Sequence, residues 1–431
     1  LGLMTMGAVD TIMVGHLSAE ALAATALGNL YFFAVAIFGM GTLMALDPVV
    51  SQAVGASDEE GVARTVQRGF VMAALLSIPV VALLLPAHAV LLAFRQPPVV
   101  ADLGAQYART SIPGVFGLFA FLVLRTSLQA MGRMRSILVV IVLANLTNAG
   151  FNWVLIYGHW GMPPLGVVGS AIATVISRWI MALLLLALAW PLLRPALVPF
   201  RPAALQGKPL LRLLSIGAPI GIQQQLEYGV FGVVGLFMGW LGTQSLAGHQ
   251  VALNLASLTF MVPLGIGTAA SVAVGQAIGR DDPVHARSAA RAALAIGVGF
   301  MCLSAAAFVA FPYGLARLYS PDPQVIAIAA TLIPIAGVFQ IFDGLQVVSI
   351  GVLRGMGDTR TPMFMNVLGF WLLGLPTSLY LGLHAKFGPR GLWWGLTVGL
   401  IVVALTLVWR VRGRLGRDFR RIVIETPESI G

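Results

Sequence analysis

The sequence predicts an all-α polytopic membrane protein, with about twelve transmembrane helices in two six-helix bundles. Three observations predict it. Apolar stretches of about twenty residues recur along the whole length, separated by short Gly/Pro/Arg punctuation. Only 10% of the 431 residues are charged and 58% are apolar, against roughly 25% charged in soluble domains. The second half also repeats the first. "MVGHLSAEALAATAL" (13–27) lies over "FMGWLGTQSLAGHQV" (237–251) and "VVSQAVGASD" over "AVGQAIGRDD", both at an offset of 224, and "QAMGRMR" lies over "RGMGDTR" at 225. A duplication explains this register. Six helices per copy is an even number, so both copies enter from the same side and are expected to be related by a pseudo-two-fold along the membrane normal.

In order, the spans fall near 1–16, 20–50, 64–85, 103–128, 136–158 and 166–191 in the N-terminal lobe (1–193). A Pro- and Arg-rich linker at 194–212 follows. The C-terminal lobe (213–411) carries spans near 213–240, 246–274, 289–312, 324–351, 361–383 and 391–411, and 412–431 reads as a basic tail. Asp10 stands only nine residues from the start, so the first span reads as shortened, with native N-terminal residues missing before it. No signal-peptide pattern is visible, and the first apolar segment reads as a retained span. Pro48, Pro79, Pro113, Pro219, Pro263, Pro334 and Pro376 fall inside spans and are expected to bend them.

The net charge of +10 is a topology signal. Arginine and lysine collect in alternate connections, at Arg64 and Arg68, Arg133 and Arg135, Arg194 to Arg212, Arg280 to Arg291, Arg354 and Arg360, and the tail. The positive-inside rule places those connections and both termini in the cytoplasm. No contiguous patch is left to bind nucleic acid. The lone Cys302 excludes an intramolecular disulfide.

Ionisable residues inside spans are the functional candidates, because a charge at the bilayer centre costs at least about 2.5–3.5 kcal/mol. Asp10 (span 1), Glu227 (span 7) and Asp343 (span 10) qualify. Asp47 precedes Pro48 near a span end, where a capping or kink-stabilising role is expected. Asn148 and Asn152 are four apart on one face of span 5, and Thr174 in span 6 adds a hydroxyl. With Asp10 they supply the oxygen ligands that suit Na+, or equally a place to hold a proton. Interhelical hydrogen bonding is the alternative role for the two amides. Glu227 has Gln223 and Gln224 one turn away; Asp343 has Gln340 and Gln346 three residues away. Asp10, Glu227, Gln224 and Asp343 are candidate contacts for a cationic cargo. Arg178 in span 6 is the deep cation that could instead pair with an acid.

Other chemistries lack their residues. "LQGKPLL" has neither the upstream Gly nor the Ser/Thr of a P-loop, no H-E-x-x-H or Gly-x-Ser-x-Gly occurs, and the six His residues are dispersed. No enzymatic activity and no bound cofactor are expected, beyond Na+ or H+ as a coupling ion.

"VDTIMVGHLSAEALAATALGN", "MGTLMALDPVVSQAVGA", "GIQQQLEYGVFGVVGLFMGWLG" and "FDGLQVVSIGVLRGMGDTRTP" closely resemble the multidrug and toxic compound extrusion (MATE) transporters, in their bacterial NorM-type branch. The resemblance runs over essentially the whole chain. It implies a monomeric, V-shaped pair of bundles in the bacterial inner membrane, exporting organic, mostly cationic, drugs in exchange for Na+ or H+. By position it implies an N-lobe cation site at Asp10, Asn148, Asn152 and Thr174, and a C-lobe site at Glu227 and Asp343. Some members carry an acid in span 5 where this chain has only amides, which leaves Na+ and H+ coupling both open. A flippase for a lipid-linked precursor is the alternative within the same architecture. It would need a cationic groove, for which Arg178 is the only deep cation.

Overall fold

The computed structural model describes residues 2–416 and 419–424. The rest of the predicted basic tail, including 425–431, lies outside the described residues. Every regular element among them is helical. The helices are α1 (Gly2–Gly15), α2 (Ala19–Leu43), α3 (Leu46–Gly55), α4 (Glu59–Leu84), α5 (Ala87–Ala93), α6 (Pro98–Thr110), α7 (Gly114–Ala130), α8 (Arg135–Tyr157), α9 (Gly166–Leu188) and α10 (Trp190–Leu197). They continue as α11 (Gly207–Trp240), α12 (Thr243–Gly279), α13 (Pro283–Ala310), α14 (Pro312–Arg317), α15 (Pro323–Gly355), α16 (Arg360–Asn366), α17 (Leu375–Leu379) and α18 (Gly388–Leu415).

Among the described residues, nine helical runs are long and apolar enough to cross a membrane, and the bent pair α6 and α7, taken as one span, makes a tenth. With α1 and α11, each of the twelve spans read from the sequence has a helical counterpart among the described residues. In α11 the run Gln223–Gln224–Gln225 and Glu227 interrupts the apolar pattern.

Three of the proline-bearing spans are interrupted, at or near Pro48, Pro113 and Pro376. The 103–128 span is two helices bent by 52° at a break containing Pro113, whose missing N–H cannot continue the ladder. The 20–50 span breaks after Leu43, and Pro48 sits in the first turn of α3. The 361–383 span passes through π-helical stretches at Val367–Gly374 and Tyr380–His384, on either side of α17, which carries Pro376 in its first turn. Pro79, Pro219, Pro263 and Pro334 lie within continuous helices.

The duplication reappears in backbone detail. Asp58 and Asp282, 224 residues apart, each cap the following helix by accepting from the backbone N–H three residues on, at 2.8 and 2.9 Å. The residue before each cap takes positive φ, 54° at Ser57 and 56° at Asp281. The turns at Gly132 and Gly357, 225 apart, share φ of 73° and 79°, a conformation glycine adopts without strain.

The chain divides into two compact units. Among the described residues, one comprises 2–46, 58–221 and 424, the other 47–57, 222–416 and 419–423. In the first, Phe121, Leu124 and Leu128 of α7 meet Ile137 and Val140 of α8 and Met181 and Leu185 of α9. Gln67 of α4 is buried and fixes the chain after α10: its Nε2 donates to the carbonyls of Ala196 and Pro199, both at 3.0 Å, and its Oε1 accepts from Arg201 N. In the second unit, α15 and α18 are central. Leu332, Ile333 and Ala336 pack with Trp393, Leu396, Leu400 and Val403, flanked by Val230 and Val234 of α11 and Ala252 and Leu255 of α12.

Candidate functional site

Each unit carries a polar cluster inside its apolar helices. In the first unit, α1 places Asp10 opposite Asn152 of α8 and Thr174 of α9. Asp10 is 4% exposed. Asn152 Nδ2 donates to Asp10 Oδ1 at 2.5 Å, and Thr174 Oγ1 donates to Oδ2 at 2.7 Å. Asn148, one turn before Asn152, accepts from the same Nδ2 at 3.2 Å through its Oδ1. The i,i+4 spacing thus does put both amides on one face. All four residues predicted for the N-lobe site come together.

The two amides remain incompletely bonded. Asn148 Nδ2 and Asn152 Oδ1 are buried with no hydrogen-bond partner among the described residues. Such groups cost about 1–3 kcal/mol when left unmade, and here they border a carboxylate. The cluster therefore offers a hard cation both carboxylate oxygens, an amide oxygen and a hydroxyl.

Arg178 lies within electrostatic range of Asp10 but makes no ion pair with it. Among the described residues it forms no ion pair with an acid; its guanidinium carbon lies 4.0 Å from the centroid of the Phe32 ring. A contact pair of the kind considered from sequence is not formed at Asp10, although Arg178 stays near enough to act on its charge.

In the second unit, Asn366 of α16 links residues from two other helices. Its Nδ2 donates to Glu227 Oε2 of α11, and its Oδ1 accepts from Gln346 Nε2 of α15, both at 3.4 Å. Asp343 is 9% exposed, has no hydrogen-bond or ion-pair partner among the described residues, and lies within electrostatic range of Glu227. Gln340, three residues before Asp343, is engaged elsewhere: its Nε2 donates to Ser304 Oγ at 3.0 Å and its Oε1 accepts from Thr259 Oγ1 at 2.6 Å. Gln223 is buried beside this cluster on α11, and Gln224 is half-buried. Asn366 was not singled out from sequence.

Asp47 has a long-range partner in addition to its local position. It sits in the first turn of α3, as a cap or kink residue would, and its Oδ2 lies 3.8 Å from Arg354 Nη1 of α15.

Apolar helices that cross a membrane while keeping carboxylates among amides and hydroxyls, as at Asp10 and Glu227, define a polytopic membrane protein of the transporter class. Known proteins place it more closely. The MatE family profile matches residues 1–154 and 219–380. The multidrug resistance protein NorM of Burkholderia vietnamiensis is 41% identical over 418 residues, covering 95% of this chain and 90% of that protein. The multidrug resistance protein MdtK of Edwardsiella ictaluri is 37% identical over 415 residues, covering 94% and 91%. Among solved structures, the eukaryotic MATE transporter AtDTX14 superposes with a TM-score of 0.87 at 24% identity, over 96% of this chain and 95% of that one, a likeness of fold. The chain belongs to the MatE family.

Proposed function

We propose that the protein is a secondary multidrug exporter, moving organic and mostly cationic compounds out of a bacterial cell in exchange for Na+ or H+. The observation that carries this reading is the Asp10 carboxylate, buried, held by the neutral donors Asn152 and Thr174, with Arg178 in electrostatic range but not in an ion pair with it. A carboxylate in that state is neutralised by whichever mobile cation reaches it. Ion and cargo then exclude one another, and competition for one negative charge couples their movements.

In the cycle, an ion entering from outside occupies the acidic cluster and favours the conformation that has released its cargo. Reorientation delivers the ion inward and regenerates the carboxylate, which attracts the next cationic compound. Each elementary charge crossing about 100 mV supplies roughly 2.3 kcal/mol, before any concentration gradient. Glu227 and Asp343 form a second acidic cluster on which cargo and ion act at once or in turn, with Gln224 beside it. The names of the NorM and MdtK relatives support the cargo class. The arginine distribution supports an inner-membrane topology with both termini in the cytoplasm. The protein acts as a monomer in this account.

The test is purified protein in liposomes with Na+ and H+ gradients imposed separately and ethidium as cargo. One gradient is expected to drive ethidium against its concentration. No response to either gradient would refute the exchange.

A further inference from the structure

Arg178 lies one turn beyond Thr174 on the same face of α9, which brings it to the side of the helix that serves Asp10. It is 4% exposed, and its Nη1 has no hydrogen-bond partner among the described residues. Taking a guanidinium out of water is expensive, and an adjacent carboxylate is the usual compensation. Arg178 lies within electrostatic range of Asp10 and of the buried Tyr107, yet guanidinium and carboxylate make no ion pair. The guanidinium stacks on Phe32 of α2, while Asp10 keeps its two neutral donors. Phe32 is itself fully buried, its ring set edge-on to Phe33 with centroids 5.8 Å apart. Gly114 of α7 lies close against the arginine stem: a Cβ there would stand 3.2 Å from Arg178 Cδ.

We propose that Phe32 is a specificity-determining positioning residue, whose ring face parks the Arg178 guanidinium away from Asp10 and so keeps the carboxylate available to a travelling cation. The inference rests on the reading of Asp10 as the cation site. Remove the ring, and the guanidinium is free to move onto the carboxylate already within its electrostatic range. A tethered cation then competes with every mobile one. Lysine at 178 produces the same result by another route, because a compact ammonium lacks the planar face that stacks on the ring and is free to reach Asp10.

The experiment measures ethidium exchange in proteoliposomes as a function of Na+ and, separately, of H+. Phe32→Leu is expected to raise the half-saturating concentration of the coupling ion by about tenfold or more. Phe32→Tyr, which keeps a ring face, should stay near wild type. Arg178→Lys should be impaired like Phe32→Leu, whereas Arg178→Gln should hold the ion at least as tightly as wild type. Adding Arg178→Gln to Phe32→Leu should restore the ion dependence. If Phe32 merely fills space, the double variant will be as impaired as Phe32→Leu, which overturns the proposal. Should Phe32→Leu fail to fold, the two Arg178 variants decide it: Lys behaving as wild type with Gln impaired overturns it. Asp10→Asn, run alongside, separates the two claims. If Asp10→Asn keeps its ion dependence, the cation-site reading fails. If Asp10→Asn loses it while the Phe32 and Arg178 variants change nothing, this inference alone fails.

Discussion

Thr174 Oγ1 donates to Asp10 Oδ2 at 2.7 Å, joining α9 to a carboxylate on α1. A hydrogen bond to a charged group contributes about 1.5–3 kcal/mol. Thr174→Val, nearly the same shape, removes the donor and an oxygen ligand together. It is expected to raise the half-saturating concentration of the coupling ion by about tenfold or more. Thr174→Ser should stay close to wild type. Exchange kinetics in proteoliposomes check both, and a Val variant with unchanged ion dependence would remove Thr174 from the site.

In the second unit, Asn366 joins Glu227 and Gln346. Asn366→Leu strands both partners, and the expected loss is about 1–3 kcal/mol of stability. Thermal unfolding in detergent measures it. A double-mutant cycle with Gln346→Leu should give a coupling energy above about 0.5 kcal/mol; strictly additive losses would show that the link contributes nothing.

These two clusters differ in how far the sequence discloses them. Asp10 is conspicuous because an acid among Met, Ala and Val has few structural explanations, and the spacing of Asn148 and Asn152 assigns them one face. Asn366 is a single amide in "TPMFMNVLGFW", with no polar neighbour at helical spacing to mark it. Phe32 carries no signal at all until a cation is found on its ring. Gln340 misleads, since closeness in sequence to Asp343 does not prevent it from turning toward Ser304 and Thr259. The Asp47–Arg354 pair is beyond any local pattern, because only tertiary packing brings α3 to α15. The spans themselves are legible from hydropathy, and prolines mark the neighbourhood of the breaks after Leu43 and at Pro113 without fixing where each helix ends.

Close helix packing supplies a test of the second unit's frame. At Gly351 of α15 an added Cβ would overlap the carbonyl oxygen of Gly267 on α12, whereas at Gly150 of α8 it would meet nothing within 4 Å. Gly351→Ala must push the two helices apart, at an expected cost of about 1–3 kcal/mol or more. Gly150→Ala should be neutral, or stabilising by up to about 1 kcal/mol through helix propensity. Thermal melts of the two variants, compared under one set of conditions, check the contrast.

Asp358 makes a structural ion pair apart from either cluster. Its Oδ2 accepts from Arg410 Nε and Nη2, each at 2.8 Å, and lies 3.7 Å from Arg414 Nε. Both arginines are more than a third exposed, so solvent screens the pair. Asp358→Asn is expected to lower stability by about 1 kcal/mol and to leave ion-coupled exchange intact. Loss of coupling with normal stability would contradict this assignment.

The central claim is that one carboxylate serves ion and cargo in turn. Equilibrium binding of ethidium to purified protein tests it directly, measured with and without Na+ and across a range of pH, for wild type and Asp10→Asn. In wild type the coupling cation should displace ethidium competitively, and in Asp10→Asn that competition should vanish. Competition of equal strength in the two proteins would contradict the account.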